Sequence, residues 1–259
     1  MKHIKILFTL LITAAFGISG CSGSGQAKKQ EPKQERSYLE RYDDALAAFE
    51  AKKYYRSIED LNFVVFNAPG SDIADNAQFY LASAHFELKE YILAIEEYQQ
   101  LLRRWPESDL YEETRFKIAE CYYLQSPGYQ RDEEYIHKAI AAYQEFIENY
   151  PFSEYRSAAE ERIRQLRSGL AKKAYEAGKL YMVLREWNAA IITFEEVINS
   201  YYDTPVLNPT YLEIAWCHYE LEDPEGMIAA LNKVNPDTLS LRDKRRYRKL
   251  FQSNAVTRE

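Results

Sequence analysis

Between residues 38 and 249, apolar side chains return every third or fourth position. That is the period of an amphipathic helix, and polar residues fill the opposite face. The helical stretches come in pairs with shared landmarks. In the second member of one pair, Tyr91 is followed by Ala94, Tyr98 and Leu101, and Pro106 closes the segment. The same frame returns as Tyr54, Ser57, Leu61, Val64 and Pro69, and again as Ile136, Ala139, Tyr143, Phe146 and Pro151. A fourth copy reads Trp187, Ala190, Phe194 and Val197, with its proline displaced to Pro205; a degraded fifth reads Met227, Leu231, Val234 and Pro236. The first member of each pair carries a small residue where two helices would cross: Ala45, Ala82, Ala119, Gly178 and Ala215, separated by 37, 37, 59 and 37 residues. Units of this length bury a core only by stacking on their neighbours.

The landmarks resemble those of tetratricopeptide (TPR) units, in which a Gly or Ala lets the two helices of a hairpin approach closely. They predict an all-α, superhelical stack of about five TPR helix-turn-helix repeats. The extra length between Ala119 and Gly178 divides in two. Residues 125–134, rich in Pro, Gly and charge, read as a loop, and residues 154–173 read as an extended helix. Cys121 and Cys217 both stand two residues after a crossing residue, in units three and five. Two repeats of separation exceed the ~7 Å Cα limit for a bridge, so they are expected as separate buried thiols.

The N-terminus follows a different pattern. Lys2 and Lys5 precede an apolar run from Ile6 to Ile18, shorter than the ~20 residues that span a bilayer. Ile18, Ser19, Gly20 and Cys21 then resemble the bacterial lipobox, in which a signal peptidase cuts before a cysteine that becomes lipidated. The alternative is an ordinary signal peptide with an incidental cysteine. Acyl chains contribute about 0.8 kcal/mol per buried methylene, so several on one residue anchor a protein where one does not. Ser22 rather than Asp after the cysteine implies sorting to the outer membrane. Residues 21–37, made largely of Gly, Ser, Lys, Gln and Glu, read as a flexible tether.

In a TPR superhelix the first helices form the inner wall. Three residues before each crossing residue stand Tyr42, Phe79, Phe116, Tyr175 and Leu212, and four after it Phe49, Phe86, Tyr123, Met182 and Tyr219. The two positions are seven apart and share a helix face. Units one to three fill both with aromatics, which predicts a ring-lined groove suited to extended or hairpin peptides rich in aromatic residues. Tyr42, Phe49, Phe79, Phe86, Phe116 and Tyr123 are therefore the candidate client-binding residues. The same rings could instead be inter-repeat core, or pack against the tether.

Composition narrows the function. A formal net charge of -7 repels phosphate backbones and argues against nucleic acid as a partner. One basic cluster, residues 242–249, is open to two readings: a solvated helix face or a binding patch. Of the four histidines, His3 lies in the signal, and His85 and His218 occupy a repeat core position and read as interior rings. No spacing of His, Cys, Asp and Glu suggests a metal, there is no phosphate-binding Gly loop, and no nucleophile motif occurs. Paired acids such as Glu96-Glu97, Glu112-Glu113 and Glu195-Glu196 point apart on helix surfaces. The expectation is a binding protein with no catalytic residues, no metal and no cofactor.

The chain as a whole resembles the BamD family, the TPR lipoproteins of the outer-membrane β-barrel assembly machine, described in some bacteria as competence lipoproteins. The likeness rests on the lipobox, the short polar tether and five units of irregular length. It includes Asn149, Tyr150, Pro151, Phe152 and Ser153 followed by an Arg-rich helix at residues 158–167, then residues 181–193 of unit four. It implies an outer-membrane, lipid-anchored protein on the periplasmic face. Its implied partners are the barrel-inserting subunit, through a POTRA domain, other assembly lipoproteins, and unfolded outer-membrane proteins with aromatic-rich targeting strands. The organisation expected is a signal peptide at 1–20, a tether with lipidated Cys21 at 21–37, units one to three with the client groove at 38–152, and the long helix with units four and five, for scaffold contacts, at 153–259. Asp44 and Ser57 depart from the usual aliphatic and Ala in unit one. A TPR lipoprotein adaptor for cell-wall or division machinery is the alternative function.

Overall fold

The computed structural model describes residues 37–125 and 133–256, with side chains to residue 252. The expected signal peptide, Cys21, the expected tether up to residue 36 and most of the predicted loop at 125–134 lie outside the described residues. Residues Arg36–Glu259 make one compact unit. Among the described residues there are eleven α-helices and no strand.

Ten of these helices form five antiparallel hairpins: α1 (Tyr38–Glu50) with α2 (Tyr54–Asn67), α3 (Ala74–Glu87) with α4 (Tyr91–Arg104), and α5 (Tyr111–Gln125) with α6 (Glu133–Asn149). These are followed by α7 (Arg156–Val183) with α8 (Trp187–Ser200) and α9 (Leu207–Glu220) with α10 (Pro224–Leu231). Each helix packs on the next in order, which is the contact pattern of a TPR stack. A last helix, α11 (Leu241–Val256), returns against α9 and α10 and closes that end.

The crossing residues Ala45, Ala82, Ala119, Gly178 and Ala215 are all buried. At Gly178 the reason for glycine is visible: a Cβ there would lie 2.4 Å from Cε1 of Phe194, whose ring is fully buried. The other four hairpins accept alanine. The turns inside hairpins one, two, four and five pass through Lys52, Lys89, Arg185 and Glu222, each with φ between 56° and 62°. This left-handed residue after the helix end satisfies terminal carbonyls, and here it is used without glycine.

Polar groups fix several helix starts. Ser37 and Glu40 form a reciprocal capping box on α1. Glu90 and Asp223, at the N-caps of α4 and α10, hold the Nδ1 atoms of His85 and His218 at 2.7 and 2.8 Å. The two histidines are thus partly buried rings tied to the next helix. Cys121 and Cys217 are free and buried, and burial pushes each thiol up to about 12.

The helix expected at 154–173 does not end before unit four. It runs unbroken into that unit's first helix as the 28-residue α7, about 42 Å long. Its first half carries Ala159, Leu166 and Leu170 into the core of unit three, beside Tyr143 and Phe146. Its second half forms hairpin four.

Candidate protein-binding surface

The two aromatic columns fall into different environments. The column three residues before the crossing residue is largely interior. Phe79 and Phe116 are each only 8% exposed. Phe79 meets the buried Tyr98 of its own hairpin at 5.6 Å between centroids. Phe116 stacks on Tyr155 at 4.8 Å and meets Phe146 and Tyr143 at 5.6 and 5.9 Å. Tyr175 does the same with Phe194 at 5.7 Å, and Leu212 is buried. The expectation that Phe79 and Phe116 line an open groove is therefore corrected. The small residue at the crossing lets the second helix come close enough for its large ring to reach back over this position, and the two rings seal each other. Tyr42, in unit one, packs at the edge of a cluster that has Leu61 where units two and three have a second-helix ring, and stays partly exposed. Burial and the neighbouring Tyr80 push its hydroxyl up to about 12.

The other column remains at the surface. Phe49, Phe86 and Tyr123 are all partly exposed, and each is partly covered by a residue from farther along the chain. Phe49 meets Tyr80 edge-on at 5.4 Å. The Lys117 ammonium lies 5.4 Å from the Phe86 ring centre. The Arg162 guanidinium lies 4.3 Å from that of Tyr123, whose hydroxyl donates to Gln165 at 2.9 Å. Phe86 and Tyr123 are thus ring and cation pairs, an arrangement that favours partners offering aromatic and anionic groups together.

A partly buried carboxylate holds the Tyr123 end of the stripe in place. Glu120 accepts from the Tyr143 hydroxyl and from Arg162, whose Nε lies 2.9 Å away. Burial, reinforced by Glu120, pushes the Tyr143 hydroxyl up, so it stays a proton donor. The hydrogen bond to Glu120 in turn pushes Arg162 up, and the cation is held over Tyr123. Nothing in the spacing of the sequence signalled this support, because Glu120 and Arg162 are 42 residues apart.

A related arrangement occurs at the other end. Glu213 is only 4% exposed and accepts from Nη1 and Nη2 of Arg246, both at 2.7 Å, and from the Tyr175 hydroxyl at 3.1 Å. Arg246 and Lys249 also lie over the Trp216 ring, at 5.0 and 4.9 Å. The basic cluster at 242–249 is therefore neither simply a solvated face nor a free patch. Arg246 is a structural cation, while Arg242, Arg245 and Arg248 are exposed. Among the described residues, no group of three His, Cys, Asp or Glu could hold a metal ion, and no helix is long and apolar enough to cross a membrane.

Comparison with known proteins places this helical stack. The family model YfiO, described as outer membrane lipoprotein, matches residues 34–230. The chain belongs to that family. It is thus a member of an outer membrane lipoprotein family with a TPR-type helical stack. A search of curated proteins returned no significant match. Among solved structures, the chain is similar to the thermophilic TPR protein TTC0263 of Thermus thermophilus. The identity is 15%, the match covers 83% of this chain and 100% of that one, and the TM-score is 0.36. It is also similar to the TPR2AB domain of yeast Sti1, in a complex with pHSP90, at 18% identity over 76% of this chain and 75% of that one, with a TM-score of 0.42.

Proposed function

We propose that the chain is the BamD-type subunit of an outer-membrane β-barrel assembly machine. In this reading it is held at the periplasmic face by a lipid on Cys21, contacts the barrel-inserting subunit through a POTRA domain and other assembly lipoproteins through units four and five, and receives unfolded outer-membrane proteins on units one to three. It acts by binding, not by catalysis. Membership of an outer membrane lipoprotein family supports the setting. The observation that carries the client role is the stripe of Phe49, Phe86 and Tyr123, with Lys117 beside Phe86 and Arg162 beside Tyr123.

A client strand ending in an aromatic residue presents a ring and a carboxylate a few ångströms apart. The ring would pack on the exposed edge of Phe86 or Tyr123, and the carboxylate would be drawn to Lys117 or Arg162. Tyr42 contributes at the near end. Phe79 and Phe116 act only indirectly, by fixing the helices that carry the stripe. Because the surface rings are half covered, affinity arises from several modest contacts and tolerates varied client sequences.

The test is binding of a labelled peptide ending in an aromatic residue to the mature chain carrying Phe86→Ala with Tyr123→Ala. A loss of about 1–3 kcal/mol is expected if these rings are anchors. Unchanged affinity with helicity intact would remove the client assignment. Release from membranes on Cys21→Ala tests the anchor separately, and retention of that variant would mean that something other than the lipid holds the chain.

A further inference from the structure

In units two, three and five the chain covers one face of each first helix with the second helix of the unit before it. The buried centre of that face stands one before and two after the crossing residue; positions three and six after it lie at the margin, where unit three carries Gln125 and Leu221 of unit five is exposed. In unit two the centre is Leu81 and Ala84, in unit three Ile118 and Cys121, and in unit five Ile214 and Cys217, all buried. Leu81 shares a core with Leu61 and Val64 of α2, Ile118 and Cys121 share one with Ile95, Tyr98 and Leu101 of α4, and Ile214 and Cys217 share one with Ala190 and Phe194 of α8.

In unit four the same positions hold Ala177, Leu180, Tyr181 and Leu184, and among the described residues no helix covers them. Leu180 and Leu184 are each 60% exposed, and Ala177 and Tyr181 are also exposed. The cause is the length of α7. Glu133, the first residue of α6, pairs with Lys173 at 2.5 Å, so the last ten residues of α7 run on past the start of the helix that covers its first half. In α1, the first described helix, the equivalent positions hold Asp44, Ala47, Ala48 and Ala51, small or polar residues suited to an open end. Unit four keeps the apolar set of a covered face. Val183 adds to it, at a position where units one, two and five carry Glu50, Glu87 and Glu220.

We infer that this face of α7, formed by Ala177, Leu180, Tyr181, Val183 and Leu184, docks an amphipathic helix of a partner protein in the place a preceding repeat would fill. The inter-repeat interfaces of the chain define the occupant's chemistry. It is a helix with aliphatic or aromatic residues at i, i+3 and i+6 or i+7 along one stripe, as in Ile95, Tyr98 and Leu101 of α4. The inference rests on the stack itself and does not require the barrel-assembly reading.

The experiment uses the full mature chain and a fluorescent peptide with the sequence of α4 (Tyr91–Arg104), stapled on its polar face, followed by anisotropy. Saturable binding is expected. It should weaken at least about tenfold in Leu180→Glu with Leu184→Glu, and should vanish for a peptide with Ile95, Tyr98 and Leu101 replaced by Ser. Both leucines are exposed, so thermal unfolding of the variant should match that of the parent. Absence of binding, or binding that the glutamates leave unchanged, overturns the inference. So does a concentration-dependent dimer in sedimentation that the glutamates abolish, which gives the face to a second copy. Binding of the unlipidated chain to phosphatidylethanolamine and phosphatidylglycerol vesicles that the glutamates abolish likewise overturns it, giving the face to a membrane.

Discussion

Replacing Arg246 by Met isolates the contribution of one buried ion pair to the closed end of the stack. Methionine keeps an unbranched stem but removes the guanidinium from Trp216 and both donors from Glu213, leaving that carboxylate, among the described residues, with the Tyr175 hydroxyl. Breaking a buried pair by removing one member costs about 3–5 kcal/mol, because the remaining charge is stranded. The Arg246 side chain is 23% exposed, so water can reach the site from that side, and we place the cost at the lower bound, about 3 kcal/mol. The loss should fall on α11, which the pair fastens to α9. Repeat stacks open locally, so hydrogen exchange of residues 241–256 is the appropriate assay. Exchange there should accelerate about 100-fold, since each 1.4 kcal/mol is a factor of ten. Adding Glu213→Gln removes the stranded charge and should recover most of the loss. Acceleration below about tenfold, or a double variant no better than the single, would refute the reasoning.

Three further outcomes follow from the packing. Gly178→Ala should destabilise by about 1–3 kcal/mol in chemical unfolding, since the overpacking against Phe194 outweighs the gain in helix propensity; Phe194→Leu in the same chain should relieve part of the loss. Cys121 and Cys217, with thiols raised from 9.0 to about 12, should resist alkylation at pH 8 in the folded chain and react fully in denaturant. The unfolded thiols ionise first, so the stability these two groups contribute is complete below pH 9 and is lost as pH rises toward 12, which urea titrations across that range will check. Phe79→Ala should cost about 3–5 kcal/mol of stability, as a core ring does, whereas Phe86→Ala should cost much less; equal losses would contradict the division between the two columns.

The repeat frame was legible in the sequence because small crossing residues and second-helix rings recur at fixed offsets, and each recurrence supports the others. The division between the aromatic columns was not. Periodicity places Phe79 and Phe86 on one face of a helix, but it cannot say how far the partner helix reaches over that face. A usable signal was present in Tyr98, Tyr143 and Phe194, each four residues after a small residue of the second helix and large enough to close over the column opposite. The continuity of α7 could also have been read: residues 156–183 contain no proline, and their charged residues keep helical spacing throughout. The support of Arg162 by Glu120 and the pairing of Arg246 with Glu213 depend on contacts 42 and 33 residues apart, which no local pattern encodes.

The shared helix also determines how the molecule can be dissected. A cut at residue 152 would strip unit three of Ala159, Leu166 and Leu170, and would leave the remaining fragment with those same side chains facing water. A cut near residue 172 would spare unit three but remove the turns on which Tyr201 and Asp203 rest through Arg167. The two halves of the scaffold are thus not severable modules. Fragments meant to assign separate tasks to each end would need the whole of α7 in both.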